Sequence, residues 1–150
     1  HQSTIGEIYA ELRGPFQRGR GGPGGWWLIQ DVDVELGPHD ICRPDISGWR
    51  RDHLAAFPSE RPVRQRPDWL CEGLSPRTAV RDQGEKRTLY QRAEIPWYWL
   101  VDPLNRTVTV LRLVPDGYVV EQVAGDAGKL VLRRFLGVEI DLSSVFPPLD

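Results

Sequence analysis

The chain has 150 residues, 19 Lys and Arg against 21 Asp and Glu, a net charge of −2 and 40% apolar residues. That size suits one ordinary core, and six Trp, four Tyr and four Phe give it enough to bury, which excludes a disordered chain. No apolar run approaches the roughly 20 residues of a membrane span, no basic-then-apolar leader opens the chain, and the charge excludes a strongly basic nucleic-acid coat.

Seventeen of the 19 cations are Arg, so the two lysines, Lys86 and Lys129, each call for a reason. Cys42 and Cys71 are too few for a disulfide framework, and no CxxC or Cys/His cluster suggests zinc. Two reduced thiols in a cytoplasmic protein are expected. The start at His1 and the absence of Met lead us to expect one domain over 1–150 that lacks a preceding segment.

Ile5, Ile8, Tyr9, Leu12 and Phe16 recur at helical spacing and predict a helix over 2–16, loosened at Gly14-Pro15. Residues 18–25 are Gly-rich but match no phosphate-binding motif, and read as a flexible connector. Alternation predicts one strand over 26–36, a second over 42–49 and a third over 69–74. The charged, Pro-containing stretch 50–67 between the second and third strands reads as a loop or a short helix. Its Arg50, Arg51, Arg61, Arg64 and Arg66 are candidate phosphate contacts. A helix follows over 78–93, then a buried strand over 97–101, a hairpin over 107–123 turning at Pro115-Asp116-Gly117, and one or two strands within 129–142.

Two features of this pattern point to chemistry. On the 78–93 helix, Ala79, Asp82, Lys86, Leu89, Tyr90 and Ala93 share one arc, so the core-facing stripe carries two charges. Charges turned to a core are usually paired or functional, because unpaired burial costs several kcal/mol. Asp45 and Glu72 also lie inside strand-like segments, where acids are depleted. If the two strands are neighbours, two carboxylates and one Lys converge. Carboxylates collect a hard cation such as Mg²⁺ or Mn²⁺ with several waters. A metal, an activated water and a nearby cation form a phosphodiester-hydrolysis constellation.

Four segments occur together in order: Pro44-Asp45, then Glu72-Gly73-Leu74-Ser75-Pro76, then Asp82 with Lys86 and Tyr90, then Ile95-Pro96-Trp97-Tyr98-Trp99-Leu100-Val101-Asp102-Pro103. In these the chain resembles the Uma2 family of endonucleases, a branch of the PD-(D/E)XK, restriction-endonuclease-like superfamily. The resemblance covers nearly the whole chain. It implies an α/β (α+β) fold: helix, three-stranded antiparallel meander, crossover helix and fourth strand, here with a C-terminal β-hairpin extension. It implies a Mg²⁺-dependent DNA endonuclease of the bacterial cytoplasm, with Asp45 and Glu72 as metal ligands. It places the catalytic Lys at Lys86 on the helix, since Leu74 stands where the superfamily usually has it, and it suggests a homodimer.

Gly73 departs from the family's bulkier residue, and the Glu that family members carry before the first helix is not in this chain. Glu7 and Glu11 lie off the apolar stripe, so neither replaces that Glu; His1 falls near the stripe but reads as a structural His or a frayed terminus. The rival to a nuclease is a non-catalytic DNA- or protein-binding module of the same fold in a mobile-element or defence system. RNA as substrate would use the same chemistry.

Four structural expectations follow. Asp45, Glu72 and Lys86 converge. Asp82 orients the Lys86 amine, with Tyr90 beside it. Trp99 and Val101 face opposite to Tyr98 and Leu100. Setting Asp45 across from Glu72 pairs residue 46 with 71, leaves two free thiols, and sends both to the sheet face away from the carboxylates.

Overall fold

The computed structural model describes residues 2–75, 80–125, 131–135, 138–141 and 143–147. His1, the expected helix start at 78–79 and Lys129 lie outside the described residues.

Helix α1 runs Gln2–Leu12 and buries Ile5, Ile8 and Leu12. Its last stretch, Arg13–Gln17, widens to a π-helix around Pro15, which has no N–H to donate, and still buries Phe16. The connector that follows is not a loose linker. Arg18 N donates to Arg13 O at 3.0 Å, Arg20 N to Gly14 O at 2.9 Å and Gly24 N to Pro15 O at 2.8 Å. A Cβ at Gly22 would lie 2.4 Å from Pro15 Cβ, so the loop folds back on the helix end through a contact that only Gly permits.

The single strand expected over 26–36 is two, β1 (Trp26–Gln30) and β2 (Val34–Gly37). Asp31 breaks it in the left-handed region at φ 49°, which Asp tolerates better than most residues. The strand expected over 42–49 is also two, β3 (Asp40–Cys42) and β4 (Ile46–Arg50), split at Arg43-Pro44-Asp45. Pro cannot donate to a central ladder. β2 and β3 pair with each other as a separate two-stranded ladder.

The remaining elements are β5 (Trp69–Gly73), α2 (Val80–Arg92), β6 (Trp97–Asp102), β7 (Thr107–Val114) and β8 (Gly117–Gly125). The main sheet has the order β1-β4-β5-β6-β7-β8. β1, β4 and β5 form an antiparallel meander, and α2 crosses over to β6, which runs parallel to β5. β7 and β8 return antiparallel. β9 (Val131–Phe135) and β10 (Val138–Asp141) pair as a terminal hairpin.

The β4–β5 register is the one the two acids dictate: Ile46 pairs with Cys71, Ser47 with Leu70 and Gly48 with Trp69. Even-numbered β4 residues and odd-numbered β5 residues therefore share a face with α1. Ile46, Trp69, Cys71, Trp99 and Val101 pack there with Ile5, Ile8 and Leu12. On the other face Leu70, Tyr98 and Leu111 pack with Tyr90 of α2, and Leu100 joins them. The apolar run of β6 thus meets a helix layer on each side.

Candidate active site

Glu72 projects from β5 on the α2 side and is 4% exposed. Its Oε1 accepts a 2.6 Å hydrogen bond from the Tyr90 hydroxyl. Its Oε2 lies 3.4 Å from Lys86 Nζ. Lys86 is in turn 3.8 Å from Asp82 Oδ2, one helical turn earlier. Asp45 stands at the mouth of β4, and its Oδ2 accepts the Gly73 N–H at 2.7 Å, so it is fastened to the residue beside Glu72. Asp45, Glu72, Asp82, Lys86 and Tyr90 are thereby gathered at one end of the sheet.

The stripe on α2 is not uniformly core-facing. Tyr90 is fully buried, Leu89 and Ala93 are half-buried, the Lys86 side chain is 39% exposed and Asp82 is exposed. The arc runs off the sheet toward the helix start. Its apolar part packs, and its charged part overhangs the strand ends.

Burial holds the Glu72 carboxyl above its usual range. Tyr90 and Lys86 pull it down, and the charge of Asp45 pushes it up. Burial and the same carboxylate keep the Tyr90 hydroxyl protonated. It therefore acts as a donor to Glu72 and not as an acid.

Both cysteines are free, as expected, and Cys71 lies on the α1 side. Cys42 does not. It packs on the α2 side, half-buried, and desolvation together with the charge of Glu72 pushes its thiol up to about 11. The parity count from Asp45 fails because Pro44 ends one ladder and Cys42 belongs to another.

The arginines of 50–67 are not brought to the carboxylates. Arg50 ends β4 and Arg51 follows it, about 16 Å or more from Asp45 at ~3.3 Å per residue. Arg50 pairs with Asp52 at 3.0 Å, Arg64 with Glu35 at 3.5 Å and Arg66 with Glu94 at 3.8 Å. Arg61 donates to the Pro58 carbonyl at 2.9 Å. Arg51 lies 3.8 Å over the Trp27 ring and donates to the carbonyls of Trp26 and Gln17, a structural clamp.

Two features were missed in the sequence. Arg43, two residues from Asp45, holds Asp33 with two hydrogen bonds at 2.8 and 3.2 Å, and is the cation nearest Asp45 along the chain. Buried Asp68 accepts the Arg50 N–H at 2.8 Å and touches His53 Nδ1 at 2.7 Å, which fixes the turn after β4. An acid just before a buried Trp was the available signal.

Among the described residues, no group of three or more His, Cys, Asp or Glu side chains gathers as a metal centre. Asp45 and Glu72 nonetheless fit a hard divalent ion that keeps most of its waters, since one or two carboxylates suffice for Mg²⁺. Both are oxygen donors, and the negative charge they concentrate in a desolvated spot favours a cation.

Residues 1–143 match the family model described as "Uma2: Putative restriction endonuclease". Among solved structures the chain is similar to "a putative nuclease belonging to DUF820 from Anabaena variabilis ATCC 29413". The likeness has a TM-score of 0.71 at 20% identity, over 97% of this chain and 79% of that one. At that identity it is a likeness of fold, and the fold is restriction-endonuclease-like. No curated protein matches the chain.

Proposed function

The chain belongs to the Uma2 family, and from that premise we propose that it is a divalent-metal-dependent endonuclease that hydrolyses DNA phosphodiester bonds at the Asp45–Glu72–Lys86 cluster. The observation that carries this reading is Lys86. It is one of two lysines in the chain, and it reaches from a helix to a buried strand carboxylate. A surface ion pair needs only Asp82; the contact with Glu72 makes Lys86 part of the carboxylate site. That favours catalysis over a non-catalytic module of the same fold.

In this reading Asp45 and Glu72 hold Mg²⁺ or Mn²⁺. When bound, the metal supplies a water of lowered pKa and a Lewis acid for the phosphoryl oxygen. The chain's own groups do the rest. The Tyr90 hydroxyl fixes one oxygen of Glu72 and leaves the other toward Lys86. The Lys86 ammonium orients the attacking water and offsets the negative charge that grows on the phosphoryl oxygens. Asp82 steers that ammonium from the solvent side. DNA is the proposed partner and the cytoplasm the proposed location. A homodimer formed through β8 would cover the exposed Val119, Val120 and Val123.

Calorimetric titration with Mn²⁺ tests the metal assignment. Wild type should bind, and Asp45→Ala and Glu72→Gln should each weaken binding by about 10-fold or more, the cost of losing a ligand or its orienting partner. Equal affinity in all three proteins would remove both carboxylates from the metal site.

A further inference from the structure

The arginines of the first 20 residues play no part in the chemistry above. Arg13, Arg18 and Arg20 line one open cleft with Tyr9, Ala10 and Gly14, about 340 Å³ in volume. No acidic side chain lines it. Elsewhere on the surface most arginines are tied down: Arg51, Arg61 and Arg87 donate to backbone carbonyls. Arg43, Arg50, Arg64, Arg66 and Arg112 each face a carboxylate, whereas among the described residues none of the three cleft arginines has an acidic partner.

Arg13 adds a second observation. Its Nε is buried and has no hydrogen-bond partner, while its guanidinium lies 5.8 Å from the centre of the Tyr9 ring. A buried donor without an acceptor is destabilising, and a small shift of the Arg13 side chain toward an incoming acceptor would relieve it. Tyr9 is itself held by the Leu28 carbonyl at 3.2 Å. The cleft is also built in advance. Backbone bonds from Arg18 to Arg13 and from Arg20 to Gly14 fold the Gly-rich loop onto the π-helix, with Gly19 at φ 68° between the two arginines. The loop read as a linker therefore holds two exposed guanidiniums beside a half-buried third.

We infer that this cleft is a phosphate-binding site, separate from the carboxylate cluster, that takes either a backbone phosphate of a nucleic acid or a free phosphoryl group. Guanidinium forks match phosphate oxygens in charge and geometry. The volume is at the lower end of the range for small-ligand pockets, room for a phosphoryl group together with its waters or the group that carries it. The site lies where α1 ends against the start of β1, on the sheet face opposite Glu72. A nucleic acid held there and at the carboxylates would pass around the β1 edge. Only that nucleic-acid source depends on the function proposed above.

The test compares wild type with an Arg18→Ala/Arg20→Ala double variant, both positions exposed, and with Arg13→Lys, which keeps the charge but loses the buried Nε donor. Fluorescence anisotropy follows a short labelled duplex in EDTA, where no cleavage occurs, across a salt series. Thermal shift in sodium pyrophosphate follows the free phosphoryl source. For a nucleic-acid site, the double variant should lose about 10-fold in duplex affinity, and its log–log salt slope should be shallower by about two. Arg13→Lys should lose part of the affinity at unchanged charge. Unaltered duplex binding with loss of the pyrophosphate shift would assign the site to a free phosphoryl group. Wild-type behaviour of the double variant in both arms, or no response by wild type in either, would overturn the inference. Cleavage is not read in these arms, so a failed nuclease assignment would leave this result standing, and the reverse.

Discussion

Glu72 shows how the site and the stability of the fold oppose each other. Burial raises its carboxyl above the usual value of 4.5, and the neighbouring Asp45 charge adds to the shift, while Tyr90 and Lys86 only partly offset it. The sign follows from linkage. A group whose folded pKa is raised contributes stability below its unfolded value, and that stability is lost as pH rises through the folded value. At neutral pH the metal-free protein therefore carries a destabilising charge. Glu72→Gln should raise the melting temperature by a few degrees at about pH 8 without metal and leave it nearly unchanged at about pH 4. Mn²⁺ at one fixed concentration should stabilise wild type more than the variant. Differential scanning fluorimetry reads both proteins in all three conditions. A variant less stable than wild type at both pH values would contradict the account.

At the scale of elements, what could be read from the sequence depended on whether the signal stayed within one ladder or one helix. The β4–β5 register was legible because Asp45 and Glu72, both in strand-like sequence, were set opposite each other, and the observed pairing of Ile46 with Cys71 follows from that alone, although Asp45 itself stands just before β4. The alternation in β6 and the joint placement of Asp82, Lys86 and Tyr90 on α2 were legible from periodicity. The breaks at Asp31 and Pro44 were not, because the apolar alternation continues through both while the backbone leaves the sheet. Cys42 changed faces for that reason. The Gly-rich loop misled in the opposite way: composition suggests freedom, yet its backbone is bonded to the π-helix. Gly22→Ala should accordingly destabilise the protein by about 1–3 kcal/mol, since the new methyl group overlaps Pro15. Urea denaturation checks this, and an unchanged midpoint would mean that the loop is not pinned.

For the whole molecule, the terminal strand of the main sheet matters most. β8 exposes Val119, Val120 and Val123, the last two more than half exposed, where edge strands usually carry charge. Light scattering should give a dimer mass for wild type and a monomer mass for Val120→Lys/Val123→Lys. A wild-type monomer at high concentration would remove β8 as the interface. In the interior of the same sheet, at the ends of β4 and β5, a meander acid, a crossover-helix lysine and a buried strand acid meet. Nicking of supercoiled plasmid in Mg²⁺ or Mn²⁺ tests that site most directly, with wild type compared against Asp45→Ala and Lys86→Ala. Open-circular product should form with wild type and metal. It should be abolished by EDTA and reduced by about 100-fold or more in each variant, the scale of losing one electrostatic catalytic group. Nicking that persists in both variants, or in EDTA, would contradict a metal-dependent site built on Asp45, Glu72 and Lys86.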